Sequence, residues 1–412
     1  MKMHTRFLAA ALGLLVAAPA MATQSRINSM SGGEKTFTIR DEANIYGLPQ
    51  FLVDHGNEVD VDAAAGGGYG RMNIRYALTD EAVLLLYGVR SPWMPVATVS
   101  TINGNTPQTV AGVGGAMTAQ DPTNHQFGIG FGMKVGEAMR LGARIEIGGA
   151  RDDADGNNLN SNTMFGLNFG LGFDLGETNS LDFGLTLRLG SFVDFEGGAD
   201  RWVSEANTGF GLLGKGEFQV HQIAKLVPYL NLDYTGVTIG HAVRGDEVGI
   251  GNEAKKGIVS NTLFKLGADL AINPAERVLI QPGVGLGIWF SSAEGTAAPK
   301  GQILGVENGN QMMPYYGFAA EAQAFDWLSL RVGARQTIVM HNNANTSPAG
   351  GASNEFHKST VQNQLTTGLG ISLRGWQIDL NVNPTFYNNG IFAVSGVATA
   401  PYAVDFAIVY DW

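Results

Sequence analysis

The 412-residue chain has no cysteine. That excludes disulfides, thiol catalysis, cysteine-zinc sites and an N-terminal lipid-modified cysteine. Charge is also scarce, at 15% of residues where ordinary globular chains carry about 25%. The formal sum is −11, which speaks against a nucleic-acid partner, since that requires a basic surface. Beyond the first two dozen residues no apolar run reaches the roughly 20 residues of a membrane helix. Apolar spacing at a helical period is nearly missing as well, as a soluble multidomain enzyme of this length would not be. Glycine, in contrast, is plentiful: 57 residues, about twice the usual share. The glycines recur at alternate positions inside apolar segments, not in a collagen period or a linker.

What fills the chain is period-two alternation. Phe165, Leu167, Phe169, Leu171, Phe173 and Leu175 interleave with Gly166, Asn168, Gly170, Gly172 and Asp174. Successive side chains of a strand point to opposite faces, so one face is greasy and the other small or polar. This suits a wall between lipid and water. A soluble sandwich is the poorer reading, because its strands average about 5–6 residues.

Met1 to Ala22 reads as a signal peptide, with Lys2 and Arg6, an apolar core from Phe7 to Val16, and Ala20-Met21-Ala22 for cleavage. Residues 23–56 do not alternate and read as a plug, periplasmic or inserted in the lumen, with a helical turn after Asp41. Residues 57–412 read as the barrel. Sixteen strands are expected near 57–65, 68–78, 82–90, 125–135, 139–150, 163–175, 180–195, 207–220, 225–240, 258–272, 277–291, 311–325, 328–340, 358–373, 376–386 and 400–412. Short turns alternate with long loops rich in Asn, Gly, Ser and Asp, as periplasmic turns and extracellular loops do. The fold class is therefore an all-β, transmembrane antiparallel up-and-down β-barrel of about 16 strands, with 14 as the alternative.

The strand phase assigns faces. Phe127, Ile129, Phe131, Leu187 and Val284 point to lipid. The residues expected to line the lumen are Arg71, Arg75, Arg140, Arg144, Glu146, Asp182, Arg188, Lys265, Asp269, Glu321, Arg331, Arg335, Asp379 and Asp405. A charge at the lipid midplane costs about 2–4 kcal/mol, so their common phase is an internal check. Arg71, Arg75, Arg140 and Arg144 are expected to form a basic wall. Glu58, Asp60, Asp62, Asp379 and Asp405 are expected to form an acidic one beside it. Inward glycines (Gly128, Gly130, Gly132, Gly166, Gly170, Gly172, Gly283, Gly285, Gly287) are expected to leave open space.

Two resemblances follow. Phe406, Ile408, Tyr410 and Trp412 resemble the C-terminal strand by which outer-membrane barrels reach their assembly machinery. Gly32, Gly33, Asp41, Glu42, Ala43, Asn44 and Pro49 resemble the N-terminal stretch of outer-membrane porins and fatty-acid (FadL-type) transporters, with Leu48 and Gln50 as departures. The resemblance implies an outer-membrane transport barrel of a Gram-negative-type envelope with an N-terminal plug.

The leading functional expectation is a porin-like channel for small hydrophilic solutes. The alternatives are a plugged transporter of hydrophobic substrates, for which Phe192, Trp289 and Tyr315 are the hints, and a structural or adhesion barrel. Expected partners are outer-membrane lipids, the β-barrel assembly machinery and small solutes, with homo-oligomerisation left open. The loop from Arg151 to Asn157 fails as a calcium loop, because Arg151 and Asn162 stand where acids are needed. The histidines show no metal spacing and no nucleophile set converges, so no cofactor, no metal and no enzymatic activity are expected.

Overall fold

The computed structural model describes residues 24–30, 38–39, 41–63, 70–91, 124–152, 160–196, 200–243, 255–295, 306–346, 354–382 and 404–412. The expected signal peptide, the loops near 91–124 and 387–399, and Gly32 and Gly33 lie outside these residues. A short helix, α1 (Gln24–Met30), and two 3-10 turns (Glu42–Tyr46 and Pro49–Asp54) precede the strands. The first half of the wall comprises β1 (Glu58–Ala63), β2 (Gly70–Thr79), β3 (Ala82–Ser91), β4 (Asn124–Val135), β5 (Met139–Asp152), β6 (Asn160–Asp174), β7 (Ser180–Glu196) and β8 (Asp200–His221). The second half comprises β9 (Ala224–Val243), β10 (Lys255–Ala275), β11 (Val278–Gly295), β12 (Val306–Phe325), β13 (Leu328–Thr346), β14 (Asn354–Leu373), β15 (Trp376–Val382) and β16 (Val404–Asp411).

Every strand pairs antiparallel with its chain neighbours, and β1 closes on β16 with Glu58 opposite Asp411. The strand count is sixteen, and fourteen is ruled out. Several strands run past their expected ends. β8 starts at Asp200 and β13 continues to Thr346, so parts of the expected long loops are strand. A tilted span needs only about 9–11 residues, and the phase signal fades once the sheet leaves the bilayer. β15 ends its described course at Val382, before the expected 386. Short connections are tight: Arg374 and Gly375 join β14 to β15 with φ of 50° and 82°. Both central residues of a two-residue hairpin turn of this hand require positive φ.

The outer face is apolar and bare. Phe127 is 65% exposed, Val284 62% and Ile147 59%. Phe131, Phe169, Leu187, Leu230, Leu266, Phe318 and Leu369 continue the belt around the cylinder. Soluble proteins rarely leave so extensive an apolar surface in water, and here the belt is the lipid face of a membrane-spanning barrel. The inner face carries most of the buried polar side chains, among them Arg75, Asn73, Asp182 and Asp379, each 0% exposed.

Candidate functional site

The site is the lumen where the N-terminal segment enters it. The segment folds from local bonds: the backbone N–H groups of Asn44, Gly47 and Leu48 donate to Asp41 and Asn44 carbonyls at 2.7–3.0 Å. Asn44 Nδ2 donates to the Ile39 carbonyl at 2.7 Å. Pro49 opens the second 3-10 turn, a position where a missing N–H costs nothing. Ile45, Leu48, Phe51 and Leu52 then bury against Leu85, Tyr87 and Leu213 of the wall.

The wall receives this segment in a trough of glycines. Gly132, Gly142, Gly170 and Gly184 stand side by side in one register row across β4, β5, β6 and β7. The row is bounded by Val83 of β3 and Leu213 of β8. A Cβ on Gly142 would overlap the backbone of Pro49 and Gln50, and one on Gly184 would overlap the Gly47 carbonyl. On Gly132 it would stand 2.7 Å from Leu52 Cβ, and on Gly172 3.2 Å from Gln50 Cγ. On the other side of the barrel Gly333 and Gly368 receive Met30 and Ser29 of α1 in the same way, and Thr366 Oγ1 donates to the Ser29 carbonyl at 3.0 Å. The expectation that inward glycines leave open space is thereby corrected. Gly130, Gly132, Gly170 and Gly172 meet the N-terminal segment. Gly128, Gly166, Gly283, Gly285 and Gly287 lie beneath Tyr87, Glu146, Asp269, Tyr315 and Met313.

Charges lock the same parts together. Arg26 forms a two-pronged contact with Glu321 (2.8 and 2.9 Å) and reaches Asp41 at 3.3 Å. Arg331 contacts Glu321 at 2.6 Å and Asp379 at 2.5 Å. Arg140 gathers Asp174 (3.0 Å), Asp182 (3.4 Å) and Asp54 of the segment (3.4 Å). Arg144 pairs with Glu146 at 3.2 Å and donates to the Tyr46 carbonyl at 2.9 Å. Two aromatic rings of the segment are each flanked by two cations. Tyr46 has the Arg71 and Arg144 guanidiniums 4.5 and 4.9 Å from its centroid, and Phe51 has Arg140 and Lys215 at 5.2 and 5.6 Å. Each such contact is worth about 0.5–2 kcal/mol, the upper end when desolvated.

The expected adjoining basic and acidic walls are not formed. Glu58, Asp60 and Asp62 of β1 stand directly opposite Arg75, Asn73 and Arg71 of β2. Arg75 contacts Glu58 at 2.8 Å, and Arg71 contacts Asp62. Neighbouring strands interleave opposite charges because cross-strand pairing is the cheapest way to bury them. Of the other expected lining residues, Arg188 reaches Asp233 at 3.8 Å, and Lys265 lies on β10 opposite Asn231 and Gly287. Asp269 accepts from Gln281 Nε2 at 2.9 Å and from Thr38. Arg335 stacks over Tyr315, 4.2 Å from its centroid. Asp405 lies on β16 opposite Asn381, its side chain outside the described residues, as is that of Phe192. On the outer face of β16, Tyr410 packs against Trp376 (4.5 Å) and Trp412 (6.5 Å), with Phe406 41% exposed.

Sequence reasoning missed Arg26, Tyr46, Gln50, Phe51, Tyr87 and Lys215. For Tyr87 a signal existed: Val83, Leu85, Tyr87 and Val89 make the inner phase of β3 apolar too. An inner face that is apolar is one that something covers.

These contacts set an expected result. Arg26→Ala removes the two-pronged contact but leaves Glu321 its partner Arg331, so the cost should fall near the low end of a broken buried pair, about 3 kcal/mol. Amide exchange of residues 24–30 should accelerate by roughly a hundredfold, measured by mass spectrometry on the detergent-solubilised protein, while the barrel strands stay protected.

No protein-family model matches the chain, and no curated protein matches it. Among solved structures, the toluene transporter TbuX of Ralstonia pickettii is 11% identical with a TM-score of 0.41, over 94% of this chain and 96% of its own. The toluene transporter TodX of Pseudomonas putida is 8% identical with a TM-score of 0.42, over 94% and 96%. The ferric yersiniabactin uptake receptor FyuA of Yersinia pestis is 9% identical with a TM-score of 0.40, over 86% and 79%. No residue role is carried over from them.

Proposed function

We propose that the chain is a plugged outer-membrane transporter of small, largely apolar compounds rather than an open porin. The observation that supports this reading is the seating of residues 24–54 in the lumen, backbone on glycine, at the end where the short turns lie. Apolar lumenal surface accompanies it. Met30, Ile39 and Tyr315 line a cavity of about 50 Å³ between the segment and β10–β13, beside the cluster of Met30, Ile39 and Ala319. An open diffusion pore gains nothing from such packing, whereas a gate requires it. The reading places the chain in a Gram-negative-type outer membrane, with Phe406, Ile408, Tyr410 and Trp412 as its assembly strand, and gives it no chemistry of its own.

Planar-bilayer recording tests the proposal. The intact protein should show little steady conductance, and a variant lacking residues 24–54 should show large ohmic steps. The same deletion should abolish selective uptake of small apolar compounds by cells. A large steady conductance from the intact protein would favour the porin reading instead.

A further inference from the structure

A second glycine floor lies across the lumen from the trough, and the N-terminal backbone does not rest on it. In one register row, Asp269 of β10, Gly283 of β11, Gly317 of β12 and Arg335 of β13 stand side by side. An acid and an arginine thus flank two residues without side chains. The next row repeats the pattern: Tyr229, Gly267, Gly285 and Tyr315 are aligned across β9 to β12. A Cβ on Gly267 would stand 2.7 Å from the Tyr229 hydroxyl, and Gly285 lies under the end of the Tyr315 ring. The 50 Å³ cavity sits over this floor, and Met30 and Ile39 face it from the N-terminal segment.

The two ends of the floor differ in chemistry. Asp269 Oδ2 accepts from Thr38 and from Gln281 Nε2 at 2.9 Å, and Oδ1 lies over Gly283, itself part of the lining. That end accepts hydrogen bonds and repels anions. At the other end the Arg335 guanidinium stacks on Tyr315 and donates from Nε to Thr337 at 3.1 Å. A stacked guanidinium presents its remaining N–H groups edge-on, in the plane that suits a carbonyl or carboxylate. Between them lie a flat backbone surface, a tyrosine and two apolar side chains.

Resting on the reading of the lumen as a gated path, we infer that this floor is a binding site for a planar aromatic ring carrying a hydrogen-bond donor on one edge and a carboxylate or carbonyl on the opposite edge. The donor edge meets Asp269, the acceptor edge meets Arg335, and the ring lies on Gly283 and Gly317. The cavity is narrower than the roughly 150 Å³ that holds a benzene ring. The side that yields is the segment: Met30 is unbranched and adaptable, whereas the floor is fixed by strand pairing. Occupancy therefore pushes on α1, which couples the ligand to the gate.

Titration calorimetry on the intact protein in detergent tests this with 4-hydroxybenzoate as the probe. Benzoate lacks the donor, phenol lacks the acceptor, and toluene lacks both. The expected order is 4-hydroxybenzoate tightest, with benzoate and phenol each weaker by about tenfold, the worth of one hydrogen bond to a charged group. Arg335→Gln should weaken 4-hydroxybenzoate about tenfold while leaving phenol unchanged. Asp269→Asn should narrow the gap between 4-hydroxybenzoate and benzoate. Toluene binding as tightly as 4-hydroxybenzoate, or no heat from any of the four, overturns the site. The ligand series on the unaltered protein decides the matter even if a variant fails to fold. Failure of the plug reading registers separately, in the conductance of the intact protein.

Discussion

Gly142→Val should unseat the N-terminal segment and leave the barrel standing. Gly142 is the second of four glycines in the trough row, and the position of a Cβ there already belongs to the Pro49–Gln50 backbone. Backbone cannot rotate aside as a long side chain can, so the segment must lift or the wall must bend. The wall is fixed by pairing on both sides, and valine suits a strand. The segment therefore moves, and with it go the burial of Ile45, Leu48, Phe51 and Leu52 and the cation contacts of Tyr46 and Phe51. Burying each such side chain is worth about 1.5–3 kcal/mol, so the seated state should be lost almost completely. The expected signature is a heat-modifiable, fully folded barrel whose conductance approaches that of the variant lacking residues 24–54. A Gly136→Ala control at a turn, where nothing lies within 4 Å, should leave the lumen closed.

The second large effect lies on the other face of the wall. Leu187 is 40% exposed on the lipid side of β7, and its neighbour Thr186 is buried in the lumen with its hydroxyl 2.6 Å from Asn168 Oδ1. Leu187→Arg would place a guanidinium in hydrocarbon at a cost of about 2–4 kcal/mol and should sharply reduce the folded yield. Thr186→Arg costs one hydrogen bond and meets a polar lumen, so the barrel should still assemble. Urea-dependent folding into vesicles measures both. Equal losses would mean that the phase of β7 is wrong.

That phase was readable because lipid and lumen demand opposite side chains at alternate positions. Phe165 to Leu175 shows it over eleven residues, and sixteen such patterns gave the barrel and its order. The glycines were not readable in the same way. An inward Gly142 looks identical whether it faces water or the backbone of Pro49, and only the register, which aligns it with Gly132, Gly170 and Gly184, turns scattered glycines into a trough. Charge was half readable. The inward phase of Arg71 and Asp62 was plain in the alternation, but grouping them by sign suggested separate walls, whereas the β1–β2 register sets them opposite each other. The Arg26–Glu321 pair was beyond any local pattern, since 295 residues separate its members. The helical turn after Asp41 was expected and occurs at Glu42–Tyr46. Its position inside the lumen depends on Tyr46 and Phe51 finding cations on β2, β5 and β8.

The location of the segment in the lumen is the claim on which the gate and the second floor both depend. The cysteine-free chain offers a clean background for testing it with one engineered pair, Gln50→Cys with Gly172→Cys. A Cβ built on Gly172 lies 3.2 Å from Gln50 Cγ, a spacing compatible with the roughly 3.5–4.5 Å between the Cβ atoms of a disulfide. Mild oxidation of membranes containing the folded protein should link the two cysteines nearly quantitatively, read as a mobility shift that reductant reverses. A control pairing Gln50→Cys with Gly287→Cys, on the far wall, should stay reduced. If the 50–172 pair stays reduced while each single cysteine reacts freely with a water-soluble maleimide, the segment does not sit in the trough and the account is contradicted.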